Sequence, residues 1–243
     1  MNPAARDLDP PAPNPAVRLL VGTGNHHKLE EIGCILADTP VEIVGAAILD
    51  QVPGSAAMIP EIDENGETFA ANATIKARAF AVASLALPFA QRPRWVLADD
   101  SGLCVDALGG RPGVHSSRYA SDRIDQPGDA DNVRKLLEEL GAVDDCSRQA
   151  HFSCCIVVVS LPETPDDEAP VVFSAAGECH GRIAREIRGE GGFGYDPVFE
   201  LPDLGKCFAE ISADEKNARS HRGRALKLLQ EFVRTQLGEE DRT

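Results

Sequence analysis

The order of apolar and polar positions along the chain predicts alternating strands and helices. "VRLLVGTG" is an apolar run that ends in a glycine turn, and it reads as a buried strand. "NHHKLEEIGCILAD" then places Leu29, Ile32, Ile35 and Leu36 on one helical face, with Asn25 positioned to cap it. "VEIVGAAI" predicts a second strand, followed by a polar loop, "LDQVPGSAAMIPEIDENGE". The alanine-rich "TFAANATIKARAFAVASLA" predicts a long helix, broken by "LPFAQRPR". "WVLADD" is the next strand, and "DADNVRKLLEELGAV" is an amphipathic helix closed by Gly141. "QAHFSCCIVVVSL" and "VVFSAAGECHGRIA", joined by "PETPDDEAP", predict a hairpin. "SADEKNARSHRGRALKLLQEFVRTQL" predicts one closing helix that starts at Ser212. The whole pattern predicts one α/β domain with a mixed sheet over residues 17–237, behind a proline-rich extension over residues 1–16.

Charge narrows the function. The net charge of −15 disfavours a nucleic-acid polymer or an acidic membrane as partner. No apolar run is long enough to span a bilayer, and the N-terminus lacks the apolar core of a signal peptide. The 7 cysteines form no C-x-x-C pair. Most, including Cys34, Cys104, Cys154 and Cys155, lie in apolar surroundings, which suits reduced core thiols in a cytoplasmic protein rather than a zinc site.

Five stretches carry candidate chemistry. "GTGNHHK" joins a strand to a helix N-terminus, whose free N–H groups and dipole suit a phosphate, with Lys28 adding a point charge. It lacks the P-loop spacing, and a tight connection would look the same. "LADDSG" sets Asp99 and Asp100 side by side at the expected end of a strand, pointing to opposite faces. One of them can ligate a cation, and oxygen ligands without nearby His or Cys favour Mg²⁺, although a turn or cap explains the pattern equally well. "GEGGFGYDP" combines flexible glycines with Phe193 and Tyr195, either a stacking platform for a base or a plugged loop. "EKNARSHRGRALK" gathers Lys216, His221 and Arg222 in an otherwise acidic chain, which points them at an external group or at solvent. "DENGETFAANATIKAR" offers Glu64 in a loop and Lys76 in a helix; spacing alone decides nothing for either.

Taken in order, "TGNHHKLEEI", "ETFAANATIKARA", "LADDSGLCVDALGGRPGVHSSRYA", "GEGGFGYDPVF" and "EKNARSHRGRAL" resemble the non-canonical purine nucleoside triphosphate pyrophosphatases, the Ham1-like family. The resemblance runs from about Arg18 to about Leu237. It implies an elongated two-lobed α/β fold around a long mixed sheet, a homodimer, and Mg²⁺-dependent hydrolysis of dITP, ITP and XTP to the monophosphate and pyrophosphate. It further implies that Thr23, Gly24, Asn25, His26, His27 and Lys28 hold the triphosphate, together with Lys76. Glu64 and Asp100 would bind the metal, with Asp100 as proton acceptor and Ser101 as a substrate contact. Phe193, Gly194, Tyr195, Asp196, Lys216, His221 and Arg222 would enclose the base, and Arg222 would read its 6-oxo group. Three positions depart from the family pattern. His26 and His27 stand where many relatives have small residues, and Ala71 stands where relatives often have an acid. A nucleotide sensor without turnover would have lost an acid, whereas Asp100, Glu64 and Lys76 are all present.

Overall fold

A computed structural model describes residues 17–51 and 61–240, with side chains as far as residue 238. The proline-rich extension and the middle of the predicted loop, residues 52–60, lie outside the described residues. The elements follow the predicted order as far as the β4–β5 hairpin: β1 (Val17–Val21), α1 (His26–Leu36), β2 (Val41–Gly45), α2 (Phe69–Ser84), β3 (Trp95–Val105), α3 (Asp129–Glu139), β4 (Gln149–Ser160) and β5 (Val171–Ile183); then come β6 (Phe199–Leu201), β7 (Lys206–Cys207), α4 (Ala213–Arg219) and α5 (His221–Glu240). One seven-stranded sheet runs β2-β1-β3-β4-β5-β6-β7. β1 is parallel to both β2 and β3, and every later pairing is antiparallel, so the sheet is mixed as expected.

Strand alternation sorts the core. On one face of β3, Val96 and Ala98 pack with Ala77, Phe80 and Ala81 of α2. On the other, Leu97 packs with Ile32 of α1 and with Leu226 and Val233 of α5. The far halves of β3 and β4 bury Leu103 and Phe152 against Phe199 and Phe208. Alanines on α2 let the helix lie close to the sheet.

The structure corrects several expectations. β3 does not stop at the two carboxylates. Antiparallel pairing with β4 carries it on, with Asp99 opposite Ile156, Asp100 opposite Cys155, and Val105 opposite Ala150. The second strand ends at Gly45 and turns into a 3₁₀ segment over Ala46–Gln51. The closing helix is two helices. Ser220 adopts extended backbone (φ −67°, ψ 159°), and its Oγ accepts from the Gly223 N–H at 3.0 Å, so this serine caps α5 instead of continuing α4. Cys34 is exposed and Cys104 only half-buried, while Cys154 and Cys155 are core thiols as expected; all seven cysteines are free. Within "LPFAQRPR", Leu87 anchors the break in the core while residues 88–91 are exposed, Phe89 at 88%.

One consequence of the topology positions everything that follows. β1 pairs with β3 from Leu19 opposite Trp95 to Val21 opposite Leu97, and the Gly22 N–H makes a last bond to the Leu97 carbonyl at 2.7 Å. Beyond that point the chain leaves for α1, and β3 runs on with that edge open. Asp99, Asp100 and Ser101 occupy the first residues of the open edge.

Candidate active site

A cleft of about 780 Å³ lies along this edge. Lys28, Glu64, Lys76 and Asp100 all line it, as do Ser101, Phe193, Lys216, His221 and Arg222. Local chemistry explains each placement. Asn25 caps α1 by accepting from the Lys28 N–H at 3.2 Å, which leaves the Thr23–Asn25 turn facing the cleft at the positive end of the helix. Thr68 caps α2 in the same way by accepting from the Ala71 N–H at 3.1 Å. That cap starts a helix whose next residue, Asn72, donates Nδ2 to Asp100 Oδ2 at 3.1 Å. One turn further on, Lys76 reaches both the Asp99 carbonyl at 3.1 Å and Glu64 Oε2 at 3.0 Å, tying the loop acid to the strand.

The two adjacent aspartates separate as strand alternation requires. Asp100 faces α2. Asp99 faces α1 and α5, where its Oδ2 meets Lys28 Nζ at 3.1 Å and the Arg222 guanidinium at 3.0 and 3.2 Å. Arg222 also pairs with Glu31 and donates to Ser101 Oγ at 2.9 Å. Glu31 takes Lys216 at 2.8 Å, and Lys216 takes Asp196 at 2.6 Å. Six charges therefore alternate in sign through the site: Lys28, Asp99, Arg222, Glu31, Lys216, Asp196. Burial alone would push the Asp99 carboxyl up, but Lys28, Arg222 and Lys76 hold it far below the usual carboxylate range. Glu31 is lowered by Arg222 and Lys216 against the same opposing burial. Asp100 is pushed up, because its burial outweighs Lys76, the Asn72 bond and Lys28. Burial likewise raises Asp196. Burial, with Arg222 and Lys216 nearby, drives His221 well below its ordinary value, so its imidazole is neutral at pH 7.

The chain matches the Ham1 family profile over residues 19–232. It is 45% identical over 225 residues to a dITP/XTP pyrophosphatase of Geobacillus kaustophilus (strain HTA426), covering 93% of this chain and 98% of that one. A dITP/XTP pyrophosphatase of Thioalkalivibrio sulfidiphilus (strain HL-EbGR7) is 44% identical over 216 residues, covering 88% and 97% respectively. Among solved structures, a HAM1 protein from Coxiella burnetii superposes with a TM-score of 0.72 at 37% identity, covering 89% of this chain and 98% of its own. The chain belongs to the Ham1 family.

In this Ham1 chain the cleft gathers most of the residues singled out from sequence, with exceptions. His26 and His27 do not line it: His26 points into solvent, and His27 lies against Phe193 instead. Tyr195 is an anchor more than a stacking surface, since it is 4% exposed and its hydroxyl donates to the Ser116 carbonyl at 2.9 Å. Asp196 holds the glycine-rich loop by accepting from the Phe193 N–H at 2.9 Å. The basic cluster was expected to face an external group or solvent. Lys216, His221 and Arg222 are instead buried, and the two cations are neutralised internally, because acids from α1, β3 and the loop converge on them. Arg222 already commits four of its five N–H donors to Asp99, Glu31 and Ser101, which leaves one on Nη1.

Three residues carry more of the site than their local sequence suggests. Asp99 was paired with Asp100 but assigned no role. Glu31 follows Lys28 by three positions, a helical spacing that puts both on one face, and that was the available signal. Asn72 has no local signature, because its partner lies 28 residues away.

Proposed function

We propose that the chain hydrolyses non-canonical purine nucleoside triphosphates (dITP, ITP and XTP) to the nucleoside monophosphate and pyrophosphate, clearing deaminated purines from the nucleotide pool. One observation carries the reading. A single cleft is lined by Lys28, Lys76, Glu64 and Asp100, which suit a triphosphate and its metal, and by Phe193 and Arg222, which suit a base. The activities named for the Geobacillus and Thioalkalivibrio relatives support it.

The donor set suits Mg²⁺. Asp100 and Glu64 line one cleft and feel each other's charge, and both offer hard oxygens. Among the described residues no three His, Cys, Asp or Glu side chains form a cage, and Mg²⁺ does not need one: it takes one or two carboxylates and completes its shell with phosphate oxygens and water. Bound there, the ion would neutralise charge on the triphosphate and acidify water.

The protein's own residues do the rest. The Thr23–Asn25 turn and Lys28 hold the phosphates against the end of α1. Lys76 holds Glu64 in place and adds positive charge beside Asp100. Water attacks the α-phosphorus, and the bond from that phosphorus to the departing pyrophosphate oxygen breaks. Asn72 fixes Asp100 Oδ2, so Oδ1 takes the proton. Burial alone pushes this carboxyl up, a bound cation would lower it again, and the same cation would acidify the attacking water, so that a weak base suffices. A chain of −15 repels a polyanion at long range, so the local cations must supply the attraction, and positioning with electrostatic stabilisation supplies most of the rate. The base stacks on Phe193, and the remaining Nη1 donor of Arg222 meets a 6-oxo group. A 6-amino group would leave that buried donor unpaired. The working form is a cytoplasmic homodimer.

Steady-state pyrophosphate release from XTP, ITP, dITP, GTP and ATP, with Mg²⁺ and with excess EDTA, tests the proposal. A preference for ATP, or full turnover without a divalent ion, defeats it.

A further inference from the structure

Four aromatic side chains line the cleft: Phe80, Phe152, Phe193 and Tyr195. Three are unavailable to a base. Phe80, Phe152 and Tyr195 are only 3%, 7% and 4% exposed, and His221 already covers Phe152 with ring centroids 4.7 Å apart. Phe193 alone is half-exposed. Its backbone is preset. Gly192 and Gly194 flank it with φ of 74° and 62°, Asp196 holds its N–H, and Asp129 accepts from the Gly194 N–H at 2.6 Å.

Its π face is nevertheless in use. The His27 imidazole lies against it with centroids 5.4 Å apart and planes 9° from parallel, a stacked pair that bridges α1 and the glycine-rich loop. Lys216 Nζ is 4.6 Å and the Arg222 guanidinium carbon 5.8 Å from the same ring centre. Those two cations cannot give way, since both are buried and tied to Glu31, with Asp196 or Asp99. His27 can. It is 61% exposed and lies 3.9 Å from the Glu30 carboxylate on its own helix.

We infer that His27, just outside the cleft lining, covers the face of Phe193 on which a purine would stack, so that a base binds by displacing the imidazole, and the strength of the His27–Phe193 stack tunes nucleotide affinity. The inference rests on the reading that Phe193 seats the base, and it adds a competitor that the chain itself supplies.

Titration calorimetry with inosine 5′-monophosphate on the full chain tests it. A stacked aromatic pair is worth enough that His27→Ala should bind the nucleotide roughly threefold to tenfold more tightly than wild type. His27→Phe, which keeps a ring, should bind it no more tightly than wild type. Ribose 5-phosphate, which has no base, should bind wild type and His27→Ala alike. Equal or weaker binding of the nucleotide by His27→Ala overturns the inference, and so does an equal gain for ribose 5-phosphate. If wild type turns over ITP and binds the nucleotide but His27→Ala changes nothing, the exchange alone fails. If wild type neither binds nor turns over, the reading of the base seat fails with it.

Discussion

Arg222 places Nε and a terminal nitrogen on the same carboxylate oxygen, Asp99 Oδ2, at 3.2 and 3.0 Å. Lys28 joins them on that oxygen at 3.1 Å, while Asp99 Oδ1 is buried without a hydrogen-bond partner among the described residues. The lysine assigned to the phosphates and the arginine assigned to the base thus share one counter-ion. Arg222 is 2% exposed, so its charge is tolerated only because Asp99 and Glu31 surround it.

Removing Arg222 therefore has two effects. Arg222→Ala leaves the buried Asp99 and the partly buried Glu31 each short of a partner and should lower stability by about 3 kcal/mol or more. It should also shrink the ITP-over-ATP ratio of kcat/KM by at least about tenfold, because a buried mismatch no longer penalises the amino group. Arg222→Lys restores one charge to Asp99 without the planar fork, and should recover stability more than selectivity. Thermal melts and kinetics on both variants check this. A ratio unchanged in Arg222→Ala places base reading elsewhere.

Asp100 separates chemistry from stability in the opposite sense. Its carboxylate is disfavoured by burial, so the neutral isostere should fold at least as well as wild type. Loss of a general base costs typically about 10²- to 10⁴-fold. Asp100→Asn should therefore melt no lower than wild type, still bind ITP, and lose at least about a hundredfold in kcat. Turnover within about tenfold of wild type at saturating Mg²⁺ would remove Asp100 from its role.

The sequence made β1, α1, α2 and the β4–β5 hairpin legible, because each depends on local periodicity, a cap or a glycine turn. What it concealed depends on contacts far along the chain. Nothing near Asp99 marks β3 as continuing, since the continuation comes from pairing with β4. The inward aim of Lys216 and Arg222 was hidden because Glu31 lies 185 and 191 residues away from them. The Ser220 break was readable in principle, as a serine just before a new helical turn, but neither proline nor glycine stands between α4 and α5 to mark it.

His221 should give the protein a stability that depends on pH near neutrality. It is buried, stacked on Phe152, and its Nδ1 has no partner among the described residues. Its folded pKa is depressed by burial, Arg222 and Lys216, so the unfolded chain binds the extra proton first. Stability is then fully present above the unfolded value of about 6.5 and falls as pH drops below it, by up to about 1.4 kcal/mol per unit. His221→Phe keeps the stack and removes the proton site. Melting temperatures from pH 7.5 to 5 should fall more steeply for wild type than for this variant; parallel curves would show that the imidazole does not titrate as its surroundings require.

Gly177 tests whether the seating of α5 on the sheet fixes the site. A Cβ at this β5 position would press on the His221 carbonyl and lie 2.8 Å from the Ala225 nitrogen, both of them backbone of α5. Neither can rotate away, so Gly177→Ala must lift the start of α5, and with it Arg222, from Asp99. Overpacking of this kind costs about 1–3 kcal/mol, and the loss should appear as a lower melting temperature together with a higher KM for ITP. Gly33 in α1 is the control, because a Cβ there meets nothing within 4 Å. Gly33→Ala should raise stability by roughly 0.5–1 kcal/mol through helix propensity and leave KM alone. If Gly177→Ala melts and turns over like wild type, the helix is not held to the sheet closely enough to set the geometry of Arg222, and the link from β5 packing to base reading breaks.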